Sequence, residues 1–267
     1  MLTLREELSK THGIANDGSP FIIAEMSGNH NQSLDRALAI VDAAAETGAD
    51  AIKIQTFTAD SMTLDLSEGE FTITDPKSLW VGRTLYDLYE EAHTPADWHK
   101  PIADRAKEHG LLFMSTPFSE DAVDLLESLD APLYKIASFE AIDLPLIRRV
   151  AQTGKPMIIS TGMASVVEIG EALRAAHEAG NEQVCILKCT STYPATPENT
   201  NIRTIPNMRD TFGCEVGLSD HTMGTGVSVA ATALGAVLIE KHFTLARADG
   251  GFGNTYLATN SFGFSQS

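Results

Sequence analysis

Short continuous apolar runs recur along the chain, and most end in a polar or charged residue. They are FIIAEMS (21–27), AIKIQT (51–56), LLFMSTP (111–117), LYKIAS (133–138), PMIIST (156–161), QVCILKCT (183–190), EVGLSDH (215–221) and LIEKHFT (238–244). Runs of this length without alternation fit strands buried on both faces of a parallel sheet. Between most of them the apolar period becomes helical. SLDRALAIVDAAAETG (33–48) opens on a Ser able to cap a helix and closes on Gly48. TPADWHKPIADRAKEHG (94–110) ends on Gly110, with Pro101 requiring an early-turn position or a kink. SEDAVDLLESLD (119–130), DLPLIRRVAQTG (143–154), SVVEIGEALRAAHEAG (165–180) and TMGTGVSVAATALG (222–235) repeat the scheme.

Eight strands alternating with helices predict an α/β fold, a (β/α)8 TIM barrel, with a doubly wound open sheet as the runner-up. Residues 1–20 read as an N-terminal cap segment, 21–251 as the barrel and 252–267 as a divergent tail. Two segments break the pattern. Residues 57–93 form a long insertion after the second strand, carrying Trp80, Tyr86 and Tyr89. Loops of that length are commonly functional. After the eighth strand, ARADGGFGNTYLATNSFGFSQS (246–267) has no helical period, so the barrel is expected to lack a normal eighth helix.

Composition narrows the function. The chain of 267 residues carries 19 basic and 36 acidic residues, a formal charge of −17. That argues against nucleic-acid or anionic-membrane partners, which need basic surface. Three cysteines, Cys185, Cys189 and Cys214, do not form a disulfide framework. The N-terminus has no apolar signal core, and no stretch approaches the ~20 apolar residues of a membrane span. A cytoplasmic protein with reduced thiols is expected.

Barrel chemistry gathers at the C-terminal strand ends. There lie Glu25, Lys53, Gln55, Thr116, Lys135, Ser138, Ser160, Thr161, Lys188, Ser219, Asp220, His221, Glu240, Lys241 and His242. Lysines in apolar strands are costly unless paired or facing a ligand. Several around one mouth suggest an anionic substrate, a phosphate or carboxylate; salt bridges to Glu25 and Glu240 are the alternative. His221 and His242 end adjacent strands and could share a divalent metal, with Glu25 or Asp220 adding oxygen, or be two structural histidines. Cys189 reads as core. GNHN (28–31) and CTSTYP (189–194) are polar loops able to bind substrate or simply to turn.

The strings FIIAEMSGNHN, AIKIQT, STPFSEDAVDLLE, YKIASFE, KPMIISTGM, LKCTSTYP, GLSDHT and IEKHFT, in this order, resemble the sialic acid synthase family. That family condenses phosphoenolpyruvate with an amino sugar to give a nine-carbon acid. EMSGNHN, the insertion segment DPKSLW…LYDLYEEAHTP and FTLARADGG resemble its pseudaminic acid synthase branch. The resemblance implies a 2,4-diacetamido-2,4,6-trideoxy-altropyranose acceptor, with N-acetylneuraminate or legionaminate synthesis as alternatives. It also implies the site. Lys53, Lys135, Ser138 and Thr116 would hold phosphoenolpyruvate. Ser160, Ser219 and Tyr193 would bind its phosphate or neighbouring groups, and Ser191 stands where the family can carry Asn. His221 and His242 would hold Mn2+, Mg2+ or Co2+. Glu25 would contact the open-chain sugar, and Asn29 would shape its pocket. Glu25, Lys53 and Lys135 are thus the expected catalytic residues.

The chain departs from the family pattern after RADGG. There the family continues with a Val-Asp-Ser-Ala-Phe-Ser type motif, and Gly253 stands at its Asp. The family's eighth helix and C-terminal antifreeze-like domain have no counterpart, so a truncated form is expected, with a homodimer as its candidate assembly. Two competing readings remain. One is a Schiff-base aldolase using Lys188. The other is a barrel that binds phosphoenolpyruvate without turnover.

Overall fold

The computed structural model describes residues 4–13, 17–76, 80–192 and 195–249. Eight parallel strands close into a barrel in sequence order. They are β1 (Phe21–Glu25), β2 (Ala51–Thr56), β3 (Leu112–Pro117), β4 (Tyr134–Ile136), β5 (Met157–Ser160), β6 (Val184–Cys189), β7 (Glu215–Asp220) and β8 (Leu238–His242). Closure rests on β8 pairing back onto β1, with Glu25 opposite His242. This excludes the open sheet.

Closure also sorts the side chains. Successive strand residues face opposite ways, so alternate positions fill the barrel. Phe21, Ile23, Leu112, Met114, Leu133, Ile158, Cys185, Leu187 and Leu238 form an inner cluster. Helix α1 (Leu4–His12) adds Leu4 and Leu8 to it from below and closes the barrel bottom. Outward positions such as Ala24, Ile52, Ile54, Ile136, Ile159, Leu218 and Ile239 belong to a second cluster beneath the helical ring. Each fully buried Leu or Ile contributes about 1.5–3 kcal/mol.

The ring helices start where capping residues permit. Ser33 caps α2 (Leu34–Glu46), Ser119 caps α6 (Glu120–Ser128) and Asp143 caps α7 (Leu144–Ala151). Ser165 and Glu168 form a reciprocal capping box on α8 (Val166–Glu178). In α5 (Ala96–Glu108) Pro101 sits in the second turn rather than the first. The insertion after β2 contains two helices the sequence reading did not assign, α3 (Ala59–Met62) and α4 (Leu85–Ala92). It also missed α9 (Thr204–Phe212), where Pro206 falls within the first turn and Gly213 ends the helix in a left-handed conformation. The last ring helix described is α10 (Gly226–Ala233). After β8 the described residues hold only a 3-10 turn, Arg247–Asp249, whose Asp249 pairs with Arg36 at 2.8 Å. The tail expected at 252–267 lies outside the described residues. Among the described residues no helix is long and apolar enough to cross a membrane.

Candidate active site

At the C-terminal end of the barrel the inward positions turn from hydrocarbon to polar. Glu25, Lys53, Thr116, Lys135, Ser160, Cys189, Ser219 and Glu240 project there, one from each of the eight strands, and line a cavity of about 440 Å³. Loops complete its wall. Ser27 follows β1, Met62 and Tyr89 come from the insertion, and Phe118 follows β3. Ser138, Phe139 and Glu140 follow β4, and Ser191, His221 and His242 close the ring.

Four buried charges form the floor. Lys53 pairs with Glu25 in direct contact and lies 3.7 Å from Glu240. Lys135 Nζ lies 3.1 Å from Glu240 Oε1, and the Ser219 hydroxyl donates to the same oxygen at 3.0 Å. Lys53 also donates to Thr116 Oγ1 at 3.2 Å. Both readings of the lysines therefore hold together: they are paired with Glu25 and Glu240, and they line a cavity. Burial opposes the charge of Glu240, but Lys135 and Lys53 outweigh it and hold its pKa down to about 2. Glu25 goes the other way. Burial and the charge of Glu240 raise it despite Lys53. Burial also works against Lys53, yet its two carboxylates raise its pKa. Of two carboxyls at one floor, Glu240 is thus the fixed anion and Glu25 the better proton carrier.

Above the floor, His221 and His242 stand with ring centroids 5.5 Å apart and planes tilted by 38°. His221 Nδ1 lies 3.0 Å from the Thr190 carbonyl oxygen, which selects the tautomer with its proton on Nδ1. His242 is neutral: burial, then the neighbouring His221, lowers its pKa well below the ordinary value. Its Nδ1 is buried without a hydrogen-bond partner. Two imidazoles so placed suit a divalent cation that takes its remaining ligands from water or substrate. Among the described residues no group of three or more His, Cys, Asp or Glu is arranged to hold a metal.

Beside this pair, Cys189 lines the cavity rather than serving only as core, its Sγ 3.9 Å from His221 Nδ1. Burial raises its pKa, but His221, Ser138 and Lys135 outweigh it and bring it to about 7. All three cysteines are free thiols. Gly162 sits against the same corner: its N–H donates to Ser138 Oγ at 3.2 Å. A Cβ there would stand 2.3 Å from Ser191 Oγ and 3.0 Å from Ser138 Oγ. Only a glycine keeps these hydroxyls open to the cavity.

Of the residues expected from the sequence, Glu25, Lys53, Lys135, Thr116, Ser138, Ser160, Ser219, His221 and His242 meet in this one cavity. Ser160 Oγ is buried there without a hydrogen-bond partner. Asn29 does not line the cavity itself but sits between Ser27 and His242, which do. Its amide donates to the Phe243 carbonyl at 2.9 Å, tying the β1 loop to the end of β8. Tyr193 lies outside the described residues. Asp220 and Lys241, expected at the mouth, point outward and pair with each other. An oxygen ligand from Asp220 is therefore excluded. Lys188 also misses the cavity; its ammonium is bound by the Cys189 carbonyl at 2.8 Å and Thr190 Oγ1 at 3.0 Å. The aldolase reading loses its nucleophile. Met62, Tyr89, Phe118, Glu140 and Gly162 were missed, although the aromatic residues of the insertion had marked that segment as functional.

Residues 40–260 match the sequence profile of the NeuB family. The pseudaminic acid synthase of Campylobacter jejuni serotype O:2 is 47% identical over 229 residues, 86% of this chain and 66% of that protein. The Helicobacter pylori pseudaminic acid synthase is 44% identical over 226 residues, 85% and 66% of the two chains. This chain thus spans about two thirds of the length of these relatives. Among solved structures, the Bacillus subtilis spore coat polysaccharide biosynthesis protein SpsE superposes with a TM-score of 0.77. It is 38% identical, over 92% of this chain and 65% of that one. The N-acetylneuraminic acid synthetase of Leptospira borgpetersenii superposes with a TM-score of 0.80 at 28% identity, over 91% and 79% of the two chains. The barrel, the ordered strand-end residues and this profile agree: the chain belongs to the NeuB family.

Proposed function

We propose that this chain condenses phosphoenolpyruvate with open-chain 2,4-diacetamido-2,4,6-trideoxy-altropyranose, giving pseudaminic acid and phosphate. The observation that carries the reading is the cavity floor. Two lysines and a row of hydroxyls, suited to a phosphate and a carboxylate, lie beneath two imidazoles suited to a cation. Relatives at 44–47% identity bear the pseudaminic acid synthase name, whereas a Campylobacter jejuni legionaminic acid synthase is 37% identical.

In this reading Lys53, Lys135, Thr116 and Ser138 bind the carboxylate and phosphate of phosphoenolpyruvate, with Ser160 and Ser219 completing the phosphate shell. A divalent cation held by His221 and His242 would polarise the acceptor aldehyde as a Lewis acid. The enol carbon attacks the aldehyde carbon, and the carbonyl oxygen takes a proton. Glu25, whose pKa is raised, holds that proton beside the floor. Water then adds to the resulting oxocarbenium carbon and returns a proton to Glu25, and the C–O bond to phosphate breaks as the new hydroxyl becomes the ketone, its proton leaving with the phosphate. Lys53 and Lys135 stay in place through these steps and stabilise the departing negative charge. Phosphoenolpyruvate, a cytoplasmic metabolite, implies a cytoplasmic site of action. The test is phosphate release by the purified 267-residue chain given Mn2+, phosphoenolpyruvate and the altrose derivative. Release should require both metal and sugar and should fall sharply with N-acetylmannosamine. Release without metal would overturn the reading.

A further inference from the structure

We infer that Asp220 and Lys241 form an ionic clasp on the outer face of the barrel that fixes the spacing of His221 and His242. The inference rests on reading those histidines as cation ligands. Asp220 and Lys241 are register partners on β7 and β8, and each immediately precedes one of the histidines in the chain. Strand alternation turns them outward while the imidazoles face the cavity. Lys241 Nζ lies 2.9 Å from Asp220 Oδ2 and donates to the Thr222 carbonyl at 2.6 Å. Asp220 accepts in addition from Thr222 N at 2.9 Å, Thr222 Oγ1 at 2.7 Å and Ser228 Oγ at 2.6 Å. The two side chains are 0% and 2% exposed.

A buried ion pair is seldom the most stabilising way to fill such space. Two residues earlier on the same strands, Leu218 and Ile239 fill outward positions with hydrocarbon. What the pair adds is direction: it fixes how far the end of β7 can slide against the end of β8. His221 has a second anchor in the Thr190 carbonyl. His242 Nδ1 has none, so the orientation of that ring is inherited from its backbone, which Lys241 pins one residue earlier. Groups that orient metal-binding histidines without touching the metal commonly change affinity by about 10–100-fold when removed. Asp220 and Lys241 are thus positioning residues.

The test uses the full chain and variants Lys241→Met, Asp220→Asn and His242→Ala. Mn2+ affinity is read from the free-ion paramagnetic resonance signal, phosphoenolpyruvate affinity by calorimetry and folding by thermal melting. Lys241→Met keeps three donors on Asp220 and a side chain of similar length, so it is expected to fold. Its Mn2+ dissociation constant should rise about tenfold or more, with phosphoenolpyruvate affinity unchanged. A folded variant that binds Mn2+ as wild type does, while His242→Ala does not bind it, would overturn the clasp alone. Mn2+ binding that survives His242→Ala would overturn the metal reading and the clasp with it. A parallel loss of both affinities would mark a general structural role and also overturn the inference. If Lys241→Met does not fold, Asp220→Asn is judged on the same criteria.

Discussion

Replacing Glu240 with Gln removes one charge from the floor and little volume. The Glu240 carboxylate is 6% exposed, 3.1 Å from Lys135 Nζ and 3.7 Å from Lys53 Nζ. Holding its pKa at about 2 instead of 4.5 favours its anion by roughly 3 kcal/mol. Breaking a buried pair from one side costs about 3–5 kcal/mol. The amide oxygen can still accept from Lys135 and Ser219, so the expected loss at neutral pH is ~2–3 kcal/mol. That is a large share of a typical stability of about 5–15 kcal/mol. The pH dependence has a definite sign. Because the folded pKa of Glu240 is depressed, its contribution is present above the ordinary 4.5 and disappears as pH falls toward 2. Glu25 acts oppositely: its raised pKa contributes stability at low pH that is lost as pH rises through the folded value. Urea unfolding at neutral pH and across this acid window measures both effects. The variant should start less stable and lose less on acidification. Added phosphoenolpyruvate should protect the variant more than the wild type, because the ligand restores the missing negative charge. Stability within ~0.5 kcal/mol of wild type, or an acid dependence parallel to it, would refute the reasoning.

Three further outcomes follow from the same geometry. Because both protein donors are imidazoles, calorimetry should show Co2+ or Mn2+ binding about tenfold or more tighter than Mg2+; equal affinities would place the cation elsewhere. Gly162→Ala should raise the phosphoenolpyruvate KM several-fold, its Cβ arriving 2.3 Å from Ser191 Oγ, and destabilise by about 1–3 kcal/mol. An unchanged KM would show that this corner does not receive the substrate. Tyr89→Ala, which strips an aromatic wall held edge-on against Phe57 with ring centroids 5.8 Å apart, should raise the acceptor KM more than the phosphoenolpyruvate KM; the reverse order would move the acceptor to the opposite wall.

The barrel was legible because eight apolar runs alternated with helices that begin on Ser or Asp and end near Gly. α9 was not, since Pro206 and a polar composition mask the helical spacing of Ile202, Ile205, Met208 and Phe212. The strand ends told which residues gather at the mouth but not which of two neighbours enters it. Asp220 beside His221, and Lys241 beside both Glu240 and His242, are equally polar in sequence. A strand buried on both faces has no polar alternation to separate inside from outside. Only closure of the barrel, with Glu25 registered against Lys53 and His242, sets that choice. The walls from Met62, Tyr89 and Phe118 depend on how the insertion folds back, which no local pattern encodes.

The lysines of the floor are masked twice over. Each has a carboxylate partner within hydrogen-bonding or ion-pair distance, and the whole molecule carries a formal charge of −17. A multiply charged anion therefore approaches uphill, against the long-range field, and meets attraction only once it displaces Glu25 or Glu240 from their lysines. Entry is an exchange of counterions rather than a steered encounter. Salt that screens beyond about 8 Å at physiological strength should hasten capture of such an anion, the reverse of its effect on an electrostatically attracted pair.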